Sequence, residues 1–425
     1  MSGLSVVFSF RYPGKYALTV LTGALESADV TLHHPRDFET LRAEVTGELD
    51  RGRQVLVAWS FYSPSFPECA EELARLRALE PRGFLAIAGG VHATAEPAQT
   101  LAAGFELVCI GEGERALAEL VRRLNAREPV DGTPGFARLV GTRVVQNPKP
   151  PRIELDDFPP FAPAHGYFGP IELTRGCVYA CRFCQTPFFS KARFRHRSVD
   201  DVARWAKVMA EHEKFDLRFI SPTSFSYGSH DQSVNLAAVE ALLAKTHEAL
   251  GPRGRLFFGT FPSEVRPEHV TPEGLALIKK YCANDNLVIG GQSGSEEVLA
   301  SSGRGHDVTA IVRAVELTCA SQLVPNVDFI LGLPGETRDD VRATVELMKR
   351  LAAMGARVHG HTFMPLPGTP YRDAAPGQVD DETREELDRL ASQRQLYGHW
   401  KQQELTAREL AARRDASPAK GYGNG

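Results

Sequence analysis

Short apolar runs alternate with amphipathic stretches of helical length along most of this 425-residue chain, and that alternation leaves few folds open to it. In the first part LSVVFSF (4–10), ADVTLHH (28–34), QVLVAWSF (54–61), FLAIAGG (84–90) and FELVCIG (105–111) read as strands. KYALTVLTGALES, residues 37–51, PECAEELARLRAL and GEGERALAELVRRL read as the helices around them. Strands joined through helices run parallel, so a doubly wound, Rossmann-like α/β sheet is expected. Ligands of such sheets bind beyond the carboxyl ends of the strands. Gly89, Gly90, Gly111 and Gly113 fall at those ends, where glycine either lets a bulky ligand approach or simply turns the chain. GEGE is not a G-x-G-x-x-G fingerprint, which argues against a dinucleotide.

Proline then breaks the rhythm. NAREPVDGTPG and NPKPPRIELDDFPPFAPAHG favour extended chain over helix or sheet, with one hairpin, FARLVGTRVVQ, turning near Gly141 and Thr142. The alternation resumes at residue 171. About six β–α units in roughly 200 residues suit a partial (β/α)6 barrel, whose chemistry sits at the carboxyl ends of its strands. The expected plan is a sheet domain at 1–128, a linker at 129–168, a barrel at 169–372, and a C-terminal helical segment with a disordered tail, DASPAKGYGNG, at 373–425.

At the start of the barrel stands IELTRGCVYACRFCQTP, with Cys177, Cys181 and Cys184 spaced C-x-x-x-C-x-x-C. Three readings fit the spacing. The cysteines could share one face of a helix. They could close a zinc site with His196 as the fourth ligand. They could hold an iron–sulfur cubane that keeps one iron open. The other four, Cys69, Cys109, Cys282 and Cys319, lie in apolar surroundings and read as buried free thiols. Lys191, Arg193, Arg195 and Arg197 follow in a run that reads as a solvated loop.

The stretch RGCVYACRFC resembles the signature of radical S-adenosylmethionine enzymes, with Phe183 as the aromatic residue before the third cysteine. The resemblance implies a [4Fe–4S] cluster on Cys177, Cys181 and Cys184, with S-adenosylmethionine on the open iron as the source of a 5′-deoxyadenosyl radical. It implies Phe183 against the adenine. GGQSGSEEVLASSGRG resembles the segment that approaches the ribose, with Gln292 and Ser293, while Arg304 meets the carboxylate. DFILGLPGET resembles the late strand bordering the adenine, with Leu333. The family's Gly-Gly-Glu motif is absent from FISPTSF, where Ser221 or Thr223 takes its place.

AGGVHATAEPAQTLAAGFELVCIGEGERALAELV resembles the cobalamin-binding domain that precedes many radical S-adenosylmethionine domains. That likeness implies cobalamin contacts from Ser60, Ser63, Gly89, Gly90, His92, Gly111, Glu112 and Gly113. The family's D-x-H-x-x-G motif is missing after the first strand, so cobalamin is expected base-off and without a histidine ligand. His33 and His34 follow the second strand and read as surface or loop residues.

A net charge of −4 gives no push toward nucleic acid or membrane. No run of eighteen apolar residues occurs, and scattered free thiols suit a reducing cytoplasm. The expectation is a cytoplasmic, cobalamin-dependent radical S-adenosylmethionine enzyme that methylates an unactivated carbon of a small molecule. Its electrons would come from an external reductant such as flavodoxin or ferredoxin, and nucleic acid is not the expected substrate. Cyclisation, rearrangement or RNA modification without cobalamin is the alternative. A zinc-stabilised binding module is the reading from another class.

Overall fold

The computed structural model describes residues 3–9 and 14–416. Residues 10–13, after the first strand, and the tail from Ser417 lie outside the described residues. The chain forms two compact units, one ending at Gly169 and one beginning at Pro170.

The first unit contains β1 (Leu4–Phe8), α1 (Lys15–Leu25), β2 (Thr31–His33), α2 (Phe38–Asp50), β3 (Gln54–Ser60) and α3 (Phe66–Leu79). Then come β4 (Leu85–Gly89), α4 (Val91–Ala95), α5 (Pro97–Ala102), β5 (Leu107–Cys109), α6 (Glu114–Ala126), β6 (Phe136–Val140) and β7 (Arg143–Gln146). The sheet order is β2-β1-β3-β4-β5-β6-β7. The first five strands are parallel, and β6 and β7 are antiparallel additions. Successive side chains alternate between faces. Val55, Val57 and Trp59 of β3 join the core under α2 and α3, while Leu56 and Ala58 join the core under α1 and α6. Burying each large apolar side chain contributes about 1.5–3 kcal/mol.

The proline-rich stretch expected as a linker therefore begins with the sheet's edge. Ile110 N–H donates to the Gly135 carbonyl at 2.8 Å, and Asn147 N–H to the Phe136 carbonyl at 2.9 Å. Only Phe136 and Ala137 of the hairpin are well buried, while Val140 and Arg143 are exposed. The hairpin thus carries almost no core signal in its sequence. His33 and His34 are half-buried rather than free surface groups. His34 stacks on Phe8 at 5.6 Å and lies edge-on to Tyr167 at 4.7 Å, and burial lowers its pKa to about 4.

The second unit contains β8 (Ile171–Glu172), β9 (Thr174–Arg175), α7 (Gln185–Phe189), β10 (Arg195–His196), α8 (Val199–Glu211), β11 (Asp216–Ile220), α9 (Leu236–Leu250) and β12 (Arg255–Phe257). It continues with α10 (Pro272–Tyr281), β13 (Asn286–Gln292), α11 (Glu296–Ser301), α12 (Val308–Ala320), β14 (Val324–Leu331) and α13 (Arg338–Ala353). It ends with β15 (Arg357–Thr362), α14 (Asp381–Ser392), β16 (Leu396–Tyr397) and α15 (Trp400–Ala416). β8, β11 and β12 pair in parallel, as do β13 to β16. An isolated parallel bridge joins Val265, in the segment after β12, to Ile289 of β13. The strands follow one another in sequence order, which makes the wall of a partial barrel.

Two details depart from expectation. The C-terminal segment is not helix throughout, because β16 adds a seventh strand beside β15. Two residues are too few to show a period in sequence. The basic run is not simply solvated. Lys191 and Arg193 are exposed, but Arg197 is buried, with Nη1 2.5 Å from Asp201 Oδ2. Among the described residues, no helix is long and apolar enough to cross a membrane.

Candidate active site

The cysteine loop is set by one glycine. Gly176 has φ +86°, and a Cβ there would run into the Arg193 carbonyl and the Ser190 side chain. Cys177 N–H donates to Ser190 Oγ at 3.3 Å, and Cys184 N–H to the Cys181 carbonyl at 3.1 Å. Arg182 N–H donates to the Ser302 carbonyl at 2.9 Å, and Gln185 Nε2 to the Pro367 carbonyl at 2.7 Å. These bonds pin the loop among later segments of the barrel unit. All three cysteines line a cavity of about 620 Å³ inside that unit.

Two of the three readings of the spacing fall here. Cys184 caps α7 and the other two cysteines precede it, so no helix carries all three. His196 has both ring nitrogens engaged, Nδ1 3.0 Å from Thr174 Oγ1 and Nε2 2.6 Å from the Ser229 carbonyl, so it is not free for zinc. Among the described residues, the only set of three or more His, Cys, Asp or Glu donors within 4.8 Å of one another is Asp328, His359 and His361. The three sulfurs are not such a set, so they do not converge within 4.8 Å as the ligands of one ion would.

The surroundings fit a cluster. Burial pushes the Cys177 thiol up to about 12 and also raises Cys184. Thiols so placed stay inert unless a metal takes the place of the proton. Arg304 is buried and donates through Nη1 to Cys181 Sγ at 3.6 Å and through Nη2 to the Gly290 carbonyl at 2.7 Å. Its charge lies where thiolate charge would build up.

Polar atoms in the cavity also wait for partners. Ser221 Oγ and Arg304 Nε are buried without a hydrogen bond, a state that costs about 1–3 kcal/mol per group unless a ligand supplies one. Gln292 lines the cavity with φ +75°, at a bulge between Gly290 and Gln292. Such a conformation is costly for a residue with a side chain and is held only by its surroundings.

Of the other residues expected at this site, Phe183 lines the cavity and packs in one cluster with Leu333, which does not line it itself. Thr223 is fully buried, with Oγ1 3.4 Å from His269 Nδ1. Ser293 is fully buried, with Oγ 3.2 Å from Thr344 Oγ1. Glu264, Arg266, Asp328, His359, His361, Tyr397 and Gln403 also line the cavity, and no motif named any of them. Burial raises the Glu264 pKa, and the Arg304 charge opposes that rise. Only the alternation in VHGHT hinted that His359 and His361 share a face.

In the sheet unit the expected residues gather at neighbouring loops. Ser63 Oγ lies 3.0 Å from His92 Nδ1, which is buried and stacks on Phe66 at 4.4 Å. Gly111 N–H donates to Thr94 Oγ1 at 3.0 Å. Ser60, Glu112 and Gly113 lie at the carboxyl ends of β3 and β5. Gly90 is required by packing, since a Cβ there would sit 2.7 Å from the Phe61 carbonyl. Gly111 has open space around it, and a Cβ on Gly89 would meet only Cys109, at 3.7 Å.

A profile of the radical SAM superfamily matches residues 171–348. Those residues therefore carry a radical SAM domain, and the chain is a radical SAM enzyme, with a [4Fe–4S] cluster and S-adenosylmethionine as cofactors. By sequence it is similar to the tRNA-2-methylthio-N(6)-dimethylallyladenosine synthase of Magnetococcus marinus, 28% identical over 75% of this chain and 69% of that one. The synthase of the same name from Geobacter sulfurreducens is 28% identical over 57% of this chain and 52% of its own length. The chain thus spans about half to two thirds of these relatives. By structure it resembles the radical S-adenosylmethionine methyltransferase TsrM from Kitasatospora setae, solved with cobalamin and a [4Fe–4S] cluster. The TM-score is 0.69 at 21% identity, covering 88% of this chain and 78% of that one. It also resembles the cobalamin-dependent radical enzyme OxsB, with a TM-score of 0.65 at 15% identity, covering 97% and 56%. The radical SAM barrel preceded by a doubly wound sheet is therefore the fold.

Proposed function

We propose that this chain is a cobalamin-dependent radical SAM methyltransferase acting on a carbon of a small molecule. The observation that carries the reading is the fold likeness to TsrM over 88% of the chain, which takes in both the sheet unit and the cluster barrel. When bound, the cluster and S-adenosylmethionine would supply radical chemistry, and cobalamin would supply a methyl carrier.

The chain's own residues do the holding. Cys177, Cys181 and Cys184 ligate the cluster, and Arg304 balances the negative charge on Cys181. Ser221 Oγ and Gln292 offer hydrogen bonds to the polar end of S-adenosylmethionine. Phe183, backed by Leu333, offers a flat apolar face to its adenine. In the sheet unit the loops of Ser60–Ser63, Gly89–His92 and Gly111–Glu112 would receive cobalamin. Gly111 gives the space, and no histidine is offered to the cobalt from the expected motif.

The sequence relatives favour a second reading, in which the substrate is RNA, because the proteins they match act by name on tRNA. Incubation of anaerobically reconstituted enzyme with cell extract and methyl-labelled S-adenosylmethionine separates the two. Label in small molecules, with S-adenosylhomocysteine and 5′-deoxyadenosine formed in comparable amounts, supports methyl transfer. Label confined to the RNA fraction supports the second reading. Deoxyadenosine with no added methyl group rejects both in favour of rearrangement or cyclisation.

A further inference from the structure

We propose that Asp328, His359 and His361 form a binding site for a divalent first-row transition metal ion inside the barrel cavity, where the ion would hold an oxygen of the substrate. The ion site itself is independent of the proposed methyl transfer. Only the substrate role rests on that reading.

Backbone register brings the three groups together. β14 and β15 run parallel with Asp328 directly opposite His359. His361 lies two residues further along β15, on the same face as His359. Asp328 Oδ1 is 2.9 Å from His359 Nδ1, and His361 Nε2 is 3.1 Å from the same nitrogen. All three donors fall within 4.8 Å of one another, and all three residues line the cavity that holds the cysteines. Ligand atoms around an ion with bonds of about 2.0–2.2 Å stand about 3 Å apart, so the two short contacts already have ligand spacing.

Hydrogen bonding alone does not close this set. His359 Nδ1 carries either one proton or one lone pair. It can serve Asp328 or His361 fully, and the other contact is left short without a matched partner. An ion at the meeting point takes a lone pair from each of the three. Two imidazoles and one carboxylate with open positions suit zinc or iron(II), and the open positions are where a substrate carboxylate or hydroxyl would enter.

Neighbouring groups hold both rings in place, but at His361 they present a donor where outer groups around metals accept. Tyr397 stacks on the His359 ring at 4.5 Å and 7°. The Gln403 amide places Nε2 3.1 Å from His361 Nδ1 and accepts from Thr362 N–H at 3.0 Å through Oε1. Metal binding at Nε2 of His361 leaves the ring proton on Nδ1, which then wants an acceptor. Gln403 supplies one only by turning its amide and giving up Thr362. A carboxylate at 403 would accept from both at once. The position of Gln403 therefore tunes the site.

The test uses the full, untagged, cluster-loaded chain, without cobalamin, stripped of loosely held metal by a chelator. Co2+ is the probe, followed by its visible d–d band, with Zn2+ in competition. The wild type should bind one Co2+ per chain beyond the cluster iron, more weakly as the pH falls and the imidazoles protonate. D328N and H361Q should each weaken binding at least tenfold with cluster absorbance unchanged. Q403E should tighten it by about tenfold, the size of outer-group effects on metal sites. A gain of that kind cannot come from misfolding. The triple variant C177A/C181A/C184A should bind Co2+ like the wild type. The proposal is overturned if the wild type retains no Co2+ at micromolar levels, if D328N and H361Q bind as the wild type does, or if loss of the cysteines abolishes binding.

Discussion

The two units differ in the polar groups that meet at their strand ends. In the sheet unit, loop groups bond one another: Ser63 with His92, and Gly111 with Thr94. In the barrel unit, Ser221 Oγ and Arg304 Nε are buried without a partner, at a cavity that also holds the cysteines. The bonds named tie three loops of the sheet unit together, while the barrel cavity keeps two polar atoms for a ligand to complete.

The sharpest way to break this contrast is to remove the cysteines. C177A/C181A/C184A should lose all bound iron and sulfide and all reductive cleavage of S-adenosylmethionine, while hydroxocobalamin binding by the same protein stays unchanged. Iron and sulfide analysis beside a cobalamin titration checks it. A full iron load in the variant would sink the cluster assignment, and a parallel loss of cobalamin would sink the independence of the units.

Glycine gives the next test. Gly176 and Gly90 both have positive φ and both meet backbone where a Cβ would stand. Alanine at either should cost about 1–3 kcal/mol in local strain. G176A should show it as loss of most of the cluster absorbance. G90A should show it as a lower melting temperature of the sheet unit with the cluster intact. Because Gly90 is needed by packing, it is a poor probe of ligand space. Gly89, whose Cβ meets only an ordinary contact, is the cleaner one, and G89A should stay folded while cobalamin binding weakens.

A smaller effect is expected at Ser221. Removing its hydroxyl in S221A should raise the dissociation constant of S-adenosylmethionine by about 2–10-fold, the value of one hydrogen bond. Equilibrium dialysis measures it, and an unchanged constant would take Ser221 out of the ligand's contacts.

The last test is in pH dependence, and its sign differs between the units. Burial lowers His34 of the sheet unit to about 4. The unfolded chain then binds the extra proton, so this group's contribution is whole above about pH 6.5 and is lost as pH falls toward 4. Burial raises Glu336 of the barrel unit to about 7. There the folded chain binds the extra proton, so its contribution is whole below about pH 4.5 and is lost as pH rises through 7. Calorimetry between pH 4.5 and 6.5 should show the two slopes opposed, with H34Q and E336Q each flattening one of them. Slopes of the same sign would refute the assignment.

What was legible in the sequence follows the same division. The cysteine loop was plain because its three thiols lie within eight residues. The main strands were plain because each carries its own apolar run. Asp328, His359 and His361 were not, because parallel register joins residues about thirty positions apart. Tyr397 and Gln403 were hidden further, behind a strand of two residues inside a segment that otherwise reads as helix. The hairpin at the sheet's edge looked like linker because most of its residues face solvent.

The late position of β16 and α15 also orders events in time. Cys177 leaves the ribosome more than two hundred residues before Gln403, about 10–45 s earlier at ordinary rates of synthesis. For that interval the cysteine loop exists without the segment that supplies Tyr397 and Gln403 to the cavity. Iron and sulfide arriving in that interval would meet a cavity without that part of its wall. A chain truncated after Ser392 should take up its cluster faster than the full chain does.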